Sequence, residues 1–406
     1  MKIGRKNMHL IKKESLINSI LVAAGIAVAL VIAEVFLSLI PPKVEFLSDA
    51  VLPYKRPPFF DGRDANGFRN KETTQQADIV AIGDSQTEGA NAETYSESWP
   101  GFLEKIYGKS TYQLAVGGYG PAEYSYLLHT QGLPLSPKLV IVGLYIGNDA
   151  PNAYNSVYGN IYWQDLRLSN IREYIPKLSD PNEELILQHG VDPTSSKFKL
   201  LQRRRWLSAH SRVYKLLGHV TWPLRVKLGL ASSHEEKKKM VEDILSRQNE
   251  VAILYKNDFI GTILRPKYRF DAVDVQDARV KEGLRLTEKI LGRDAAQMKE
   301  AGIQYMIAII PTKELVYEEY FKKINQSVDP ELADFASKEL RFKQDIILFC
   351  LHNHIVCLDL QPALTKALES NRTIYPRDHD SHPVSEGYKV MAEAIHSFIM
   401  NNKILR

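Results

Sequence analysis

Five strand-length apolar stretches, each running into glycine or polar residues at its downstream end, limit what this 406-residue chain can fold into. They are 78–83, 112–116, 138–146, 303–310 and 355–360, and helical patterns over 99–107 and 122–129 separate the first three. A strand buried on both faces reads as an unbroken apolar run, and strand–helix alternation calls for a parallel sheet covered on both sides. The expectation is therefore an α/β domain built on a parallel sheet with helices on both faces. A last helix from Ser385 to about Met400, apolar at Val390, Met391, Ala394, Ile395 and Ile399, closes it.

Ahead of this domain, Leu16 to Ile40 is apolar except at Asn18, Ser19, Glu34 and Ser38. As a helix it measures roughly 37 Å, enough to cross a hydrocarbon core of about 30 Å. It ends in Ile40-Pro41-Pro42-Lys43 rather than in a small-residue cleavage site, so it reads as a transmembrane anchor and not as a cleaved signal. Lys2, Arg5, Lys6, Lys12 and Lys13 crowd the upstream flank, whereas Lys43, Glu45, Asp49, Lys55 and Arg56 mix both signs downstream. The positive-inside rule then makes residues 1–15 a cytoplasmic tail of a single-pass inner (plasma) membrane protein whose remainder is periplasmic or otherwise extracytoplasmic. Glu34, close to Pro41, can reach the interface.

Residues 41–76, rich in proline, read as a lead-in laid over the domain, which occupies 77–151 and 275–406. Between them, over 152–274, the alternation stops and helical stretches at Lys199–Leu217 and Ser233–Leu254 mark a largely helical insertion. Insertions in open α/β domains sit over the carboxyl edge of the sheet, where ligands bind, so this one is a candidate for substrate selection. The formal charge of +4 is a small excess of 52 basic over 48 acidic residues and points to no nucleic-acid partner. The basic runs Arg203–Arg205 and Lys237–Lys239 fit solvated helix faces before a surface for anionic lipid or glycan. Cys350 and Cys357, flanked by apolar residues, read as core thiols in preference to a bridge or a metal site with His352 and His354.

Acyl transfer needs a nucleophile, a base within reach, a group orienting the base, and donors aimed at the developing oxyanion. Ser85 follows the first apolar run in Gly83-Asp84-Ser85-Gln86-Thr87-Glu88-Gly89. The second run ends in Val116-Gly117-Gly118-Tyr119-Gly120, where a glycine lets a backbone N–H approach a carbonyl, and the third in Gly147-Asn148-Asp149, where an amide can donate. Near the C-terminus, Asp378-His379-Asp380-Ser381-His382 supplies a base with carboxylates beside it. Taken singly, these read as a turn, a flexible connection, a helix cap and a polar loop.

Together, in this order, the four blocks resemble those of the SGNH (GDSL-like) hydrolase superfamily over roughly 64–150 and 280–400, and Asp64–Arg69 looks like a segment of its membrane-anchored bacterial members. The resemblance implies a flavodoxin-like three-layer α/β/α domain with a five-stranded parallel sheet and ester chemistry without metal or cofactor. It implies Ser85 as nucleophile, His382 as general base, and the Ser85 N–H, Gly118 N–H and Asn148 side chain as oxyanion hole. The commonest family spacing puts the Asp three residues before the His, a position held here by His379, so Asp380 is the preferred orienter with Asp378 in reserve. Gly117 is the alternative to Gly118. Thr312 and Lys313, after the fourth run, read as a surface loop before a substrate contact, although members near polysaccharide O-acetylation enzymes look similar here.

The functional expectation is hydrolysis of an O-acyl ester, most plausibly O-acetyl, on an envelope glycan or small acyl ester. The alternatives are O-acyl transfer to an envelope polysaccharide, with a membrane partner as acyl donor, and a non-catalytic scaffold or glycan-binding module.

Overall fold

The computed structural model describes residues 3–39, 46–168, 196–228, 253–257 and 260–405. The chain divides into two units, Met1–Lys43 with Ser179–Ile244, and Val44–Leu178 with Leu245–Arg406.

The larger unit is built on five parallel strands, β1 (Ile79–Gly83), β2 (Thr111–Ala115), β3 (Leu139–Tyr145), β6 (Gln304–Ile310) and β7 (Val356–Asp359), in the order β2-β1-β3-β6-β7. All five predicted runs are strands of this sheet. Side-chain alternation divides them between two cores. Ile79, Ala81, Leu139, Ile141, Met306 and Ala308 face one core, under α3 (Trp99–Tyr107), α12 (Gln361–Glu369) and α13 (Ser385–Asn402). Val80, Ile82, Val140, Val142, Ile307 and Ile309 face the other, under α4 (Pro121–Leu127), α9 (Ala278–Glu300) and α11 (Pro330–His352). Continuous apolar strands are thus what a sheet with helices on both faces requires.

The first strand in the chain lies inside the sheet, with β2 on one side and β3 on the other, so the direction of winding reverses at β1. A crevice opens outside the carboxyl ends of the strands at such a reversal. Gly83 pairs in register with Ala115 and Gly143, which places the loops after β1, β2 and β3 side by side.

Three sequence expectations change. The insertion does not begin at 152, which lies inside α5 (Asp149–Gly159), and its last part is not helical throughout. Residues 253–273 belong to the larger unit as the hairpin β4 (Ile253–Lys256) and β5 (Gly261–Leu264), followed by α8 (Pro266–Val273). Cys350 and Cys357 are not two core thiols but a disulfide, their Cα atoms 6.3 Å apart where α11 turns back into β7, within bridging range. And Lys199–Leu217 is two helices, because Ser211 leaves helical geometry to cap the second, accepting from the Tyr214 N–H.

The smaller unit holds α1 (Ile3–Leu39), α6 (Ser196–His210) and α7 (Arg212–Lys227). Over Ile17–Leu37, α1 is long and apolar enough to cross a membrane. The expected helix over 233–254 lies outside the described residues up to 252, and so does Lys237–Lys239.

Candidate active site

The site is assembled from the ends of β1, β2 and β3 and the loop before α13. After β1 the chain turns sharply into the one-turn helix α2 (Ser85–Glu88), capped by the Asp84 carboxylate, which accepts from the Gln86 N–H at 2.8 Å. The turn demands glycine at 83: a Cβ there would lie 2.1 Å from Thr87 Oγ1. Ser85 therefore begins α2 half-exposed, its N–H in the unpaired first turn.

Ser85 Oγ lies 2.8 Å from His382 Nε2, and His382 Nδ1 lies 2.6 Å from Asp380 Oδ1. The same Asp380 oxygen accepts from the His382 backbone N–H at 3.0 Å, so the carboxylate holds both ring and backbone of the histidine. Asp378 sits one step back, its carboxylate accepting from the Asp380 N–H at 3.0 Å. The structure thus brings Asp380, not Asp378, to the imidazole. Burial would raise the Asp380 pKa, but the hydrogen bonds and charge of His382 outweigh it and hold the carboxyl well below the usual range. Asp380 stays ionised wherever an esterase would be assayed.

The adjoining ends of β1, β2 and β3 carry three candidate donors, the N–H groups of Ser85 and Gly118 and the Asn148 amide. The Gly118 N–H is exposed, with a left-handed φ of 78° and no acceptor among the described residues. Gly117 is excluded from that place because its N–H is already given to Glu88 Oε2 at 2.8 Å, while Arg63 pairs with the other Glu88 oxygen. Asn148 occupies the N-cap position of α5 yet makes no capping bond with its side chain. Its amide instead donates to Asp84 Oδ2 at 3.1 Å, which turns the group toward Ser85 and leaves its second N–H for a ligand. Asp84 itself is fully buried, and burial raises its pKa. These N–H groups, on the loop ends next to Ser85, are candidates for holding a tetrahedral oxyanion. Asn148→Ala is expected to lower kcat about a hundredfold to a thousandfold with KM little changed, checked by steady-state kinetics on an activated acetate ester.

Thr312 and Lys313 do not reach substrate, because both are fully buried. Thr312 caps α10 (Lys313–Lys323), accepting from the Leu315 N–H at 3.2 Å, and pairs with Glu339. Lys313 Nζ instead donates to the carbonyls of Asp378 at 3.0 Å and Asp380 at 2.8 Å, tethering the loop that carries His382. Burial lowers its pKa from 10.5 to about 8, against the nearby Glu314, Asp378 and Asp380.

A group whose folded pKa is depressed in this way binds its proton less well than in the unfolded chain. The contribution to stability therefore rises as pH climbs from about 8 toward 10.5. Lys313→Met should flatten that part of the stability–pH curve, read by denaturant titration. Loosening of the loop should also lower kcat/KM by about tenfold to a hundredfold.

Several residues of the site carry no signal in the sequence. Tyr54, in the lead-in, donates its hydroxyl to the Gly117 carbonyl, and Tyr119 donates to the Tyr54 carbonyl, so the lead-in braces the glycine loop instead of merely covering the domain. Arg269 of α8 bridges Ser381 Oγ and the Gly147 carbonyl, joining the histidine loop to the asparagine loop. Asn91 donates to the His382 carbonyl at 3.0 Å. Arg69, singled out with Asp64–Arg69, ties down the loop after Ser85 by donating to the carbonyls of Gly89 at 2.6 Å and Ala92 at 2.9 Å.

No family model matches the sequence, and no curated protein matches it. Among solved structures, the chain is similar to a lipolytic protein of the G-D-S-L family from Desulfitobacterium hafniense, with 11% identity, TM-score 0.37, and 80% of this chain and 99% of that chain covered. It is similar to an extracellular lipase from Streptomyces rimosus, with 10% identity, TM-score 0.37, and 81% and 100% covered. It is also similar to an acetyl xylan esterase, with 11% identity, TM-score 0.36, and 79% and 98% covered.

Proposed function

We propose that the protein is a serine ester hydrolase of SGNH type that removes an O-acyl group, most plausibly O-acetyl, from a cell-envelope glycan. The observation that carries this reading is the unbroken line Asp380–His382–Ser85, with separations of 2.6 and 2.8 Å, facing exposed or uncommitted N–H donors. His382 Nε2 takes the Ser85 proton as Oγ attacks the ester carbonyl, and the carbonyl electrons move to an oxygen held by the N–H groups of Ser85 and Gly118 and the Asn148 amide. Collapse breaks the bond to the alkoxide, which leaves with the proton from His382. Water, deprotonated by the same nitrogen, then releases the acid from acyl-Ser85.

The envelope setting rests on α1, read as a membrane anchor with a cytoplasmic N-terminus, and on the Cys350–Cys357 bridge, which suits an oxidising compartment. Incubation of the purified chain with an O-acetylated envelope polysaccharide should release acetate at a rate that saturates with glycan. Acetate release from an activated ester but from no acetylated glycan would move the substrate to a small acyl ester. Gain of acetyl by a deacetylated glycan would replace hydrolysis with transfer.

A further inference from the structure

Within the smaller unit, α6 and α7 have a composition unlike the rest of the chain. Between residues 196 and 227 there are nine lysines and arginines and no aspartate or glutamate. The two helices nonetheless expose large apolar side chains: Leu200, Trp206 and Leu207 on α6, and Leu216, Leu217 and Leu224 on α7. Arg203 and Arg204 are exposed on the same pair. A helix in water buries such residues, so a basic, acid-free pair that exposes them matches the headgroup–acyl boundary of an anionic bilayer.

The pair is also fixed to α1, among the described residues the one helix long and apolar enough to cross a bilayer. Glu34, near the downstream end of the apolar span of α1, accepts from Ser211 Oγ at 2.7 Å and from the Val213 N–H at 3.1 Å. Its carboxylate therefore sits on the first turn of α7, where the exposed N–H groups and helix dipole favour negative charge. This gives the isolated acid of the apolar run a partner. It also ties the start of α7 to the downstream end of the apolar stretch Ile17–Leu37 of α1.

We infer that α6 and α7 are a membrane-surface platform, lying on the leaflet from which α1 emerges and binding anionic phospholipid headgroups with their arginines and lysines. The inference rests on the reading of α1 as a membrane span. Each basic residue near such a surface strengthens attachment by about fivefold, so Arg203 and Arg204 together carry about twenty-five-fold.

The test uses the full chain reconstituted in vesicles of phosphatidylcholine with phosphatidylglycerol, with Trp206 emission taken as the difference from a Trp206→Phe chain. A nitroxide lipid labelled near its headgroup should quench that emission by about half or more, while aqueous iodide should quench little. Arg203→Glu/Arg204→Glu should reverse the pattern without changing turnover of a soluble ester. Quenching by iodide and not by lipid, in chains that resist alkaline extraction, overturns the platform while leaving α1 as a span. Lipid quenching in chains released by alkali overturns the span and keeps the surface helices. Protection from iodide by a soluble anionic polysaccharide, with no lipid quenching, assigns the basic face to glycan and also overturns the inference.

Discussion

Ser85→Ala should lower kcat/KM for an activated acetate ester by about ten-thousandfold to a millionfold while leaving the fold intact. The size follows from the division of labour in the site. Without Oγ there is no covalent step and nothing for His382 to activate, so the remaining rate comes from the N–H cradle and binding alone. The fold survives because the turn at Ser85 is held by other groups: Asp84 caps α2, Glu88 holds the Gly117 N–H, and Gly89 closes the helix with a left-handed φ of 79°. Stability in urea and far-UV circular dichroism should match the parent chain. A loss of less than about tenfold would leave Ser85 without its assigned part.

Asp380→Asn should cost about ten-thousandfold in kcat, close to 5 kcal/mol of barrier. In the parent chain the Asp380 oxygen 2.6 Å from Nδ1 fixes the tautomer that leaves Nε2 free to take the serine proton. An asparagine keeps the shape, but with its oxygen in that place it accepts from both N–H groups only as a weaker, neutral acceptor, and with its amide there it loses both bonds and selects the tautomer with the proton on Nε2. The charge that would balance an imidazolium is also gone. Asp378→Asn is the matched control, since that carboxylate accepts from the Asp380 backbone N–H whereas Asp380 meets the imidazole. Its effect should stay within about tenfold. Equal losses in the two variants would return the orienter to an open question.

The strands were legible because each is written locally, whereas the Ser85–His382 pairing, 297 residues apart, was legible only through the resemblance carried by four ordered blocks. A buried parallel strand is a continuous apolar run, and the residue that leaves it is the one the sheet presents at its carboxyl edge. Local patterns stop being informative where partners lie far apart in the chain. The sequence favoured Gly118 over Gly117, but Glu88, whose carboxylate occupies the Gly117 N–H, lies 29 residues away and supplies the reason. Tyr54, Arg269 and Asn91 reach the site only through the tertiary fold.

Thr312 and Lys313 illustrate the opposite error. Polar residues after a strand suggest a surface, yet α10 begins there and both side chains are buried, one on Glu339 and the other under the histidine loop. The cysteines were misread for a related reason, because a bridge depends on a Cα separation that the apolar neighbours of Cys350 and Cys357 do not encode.

The acyl-serine mechanism is tested most directly by mass spectrometry after exposure of the full chain to a serine-reactive fluorophosphonate. The account predicts one adduct, on the peptide carrying Ser85, absent from Ser85→Ala and formed far more slowly by His382→Ala. Turnover of an activated ester by a chain that carries no adduct at Ser85, or carries it on another residue, would contradict it.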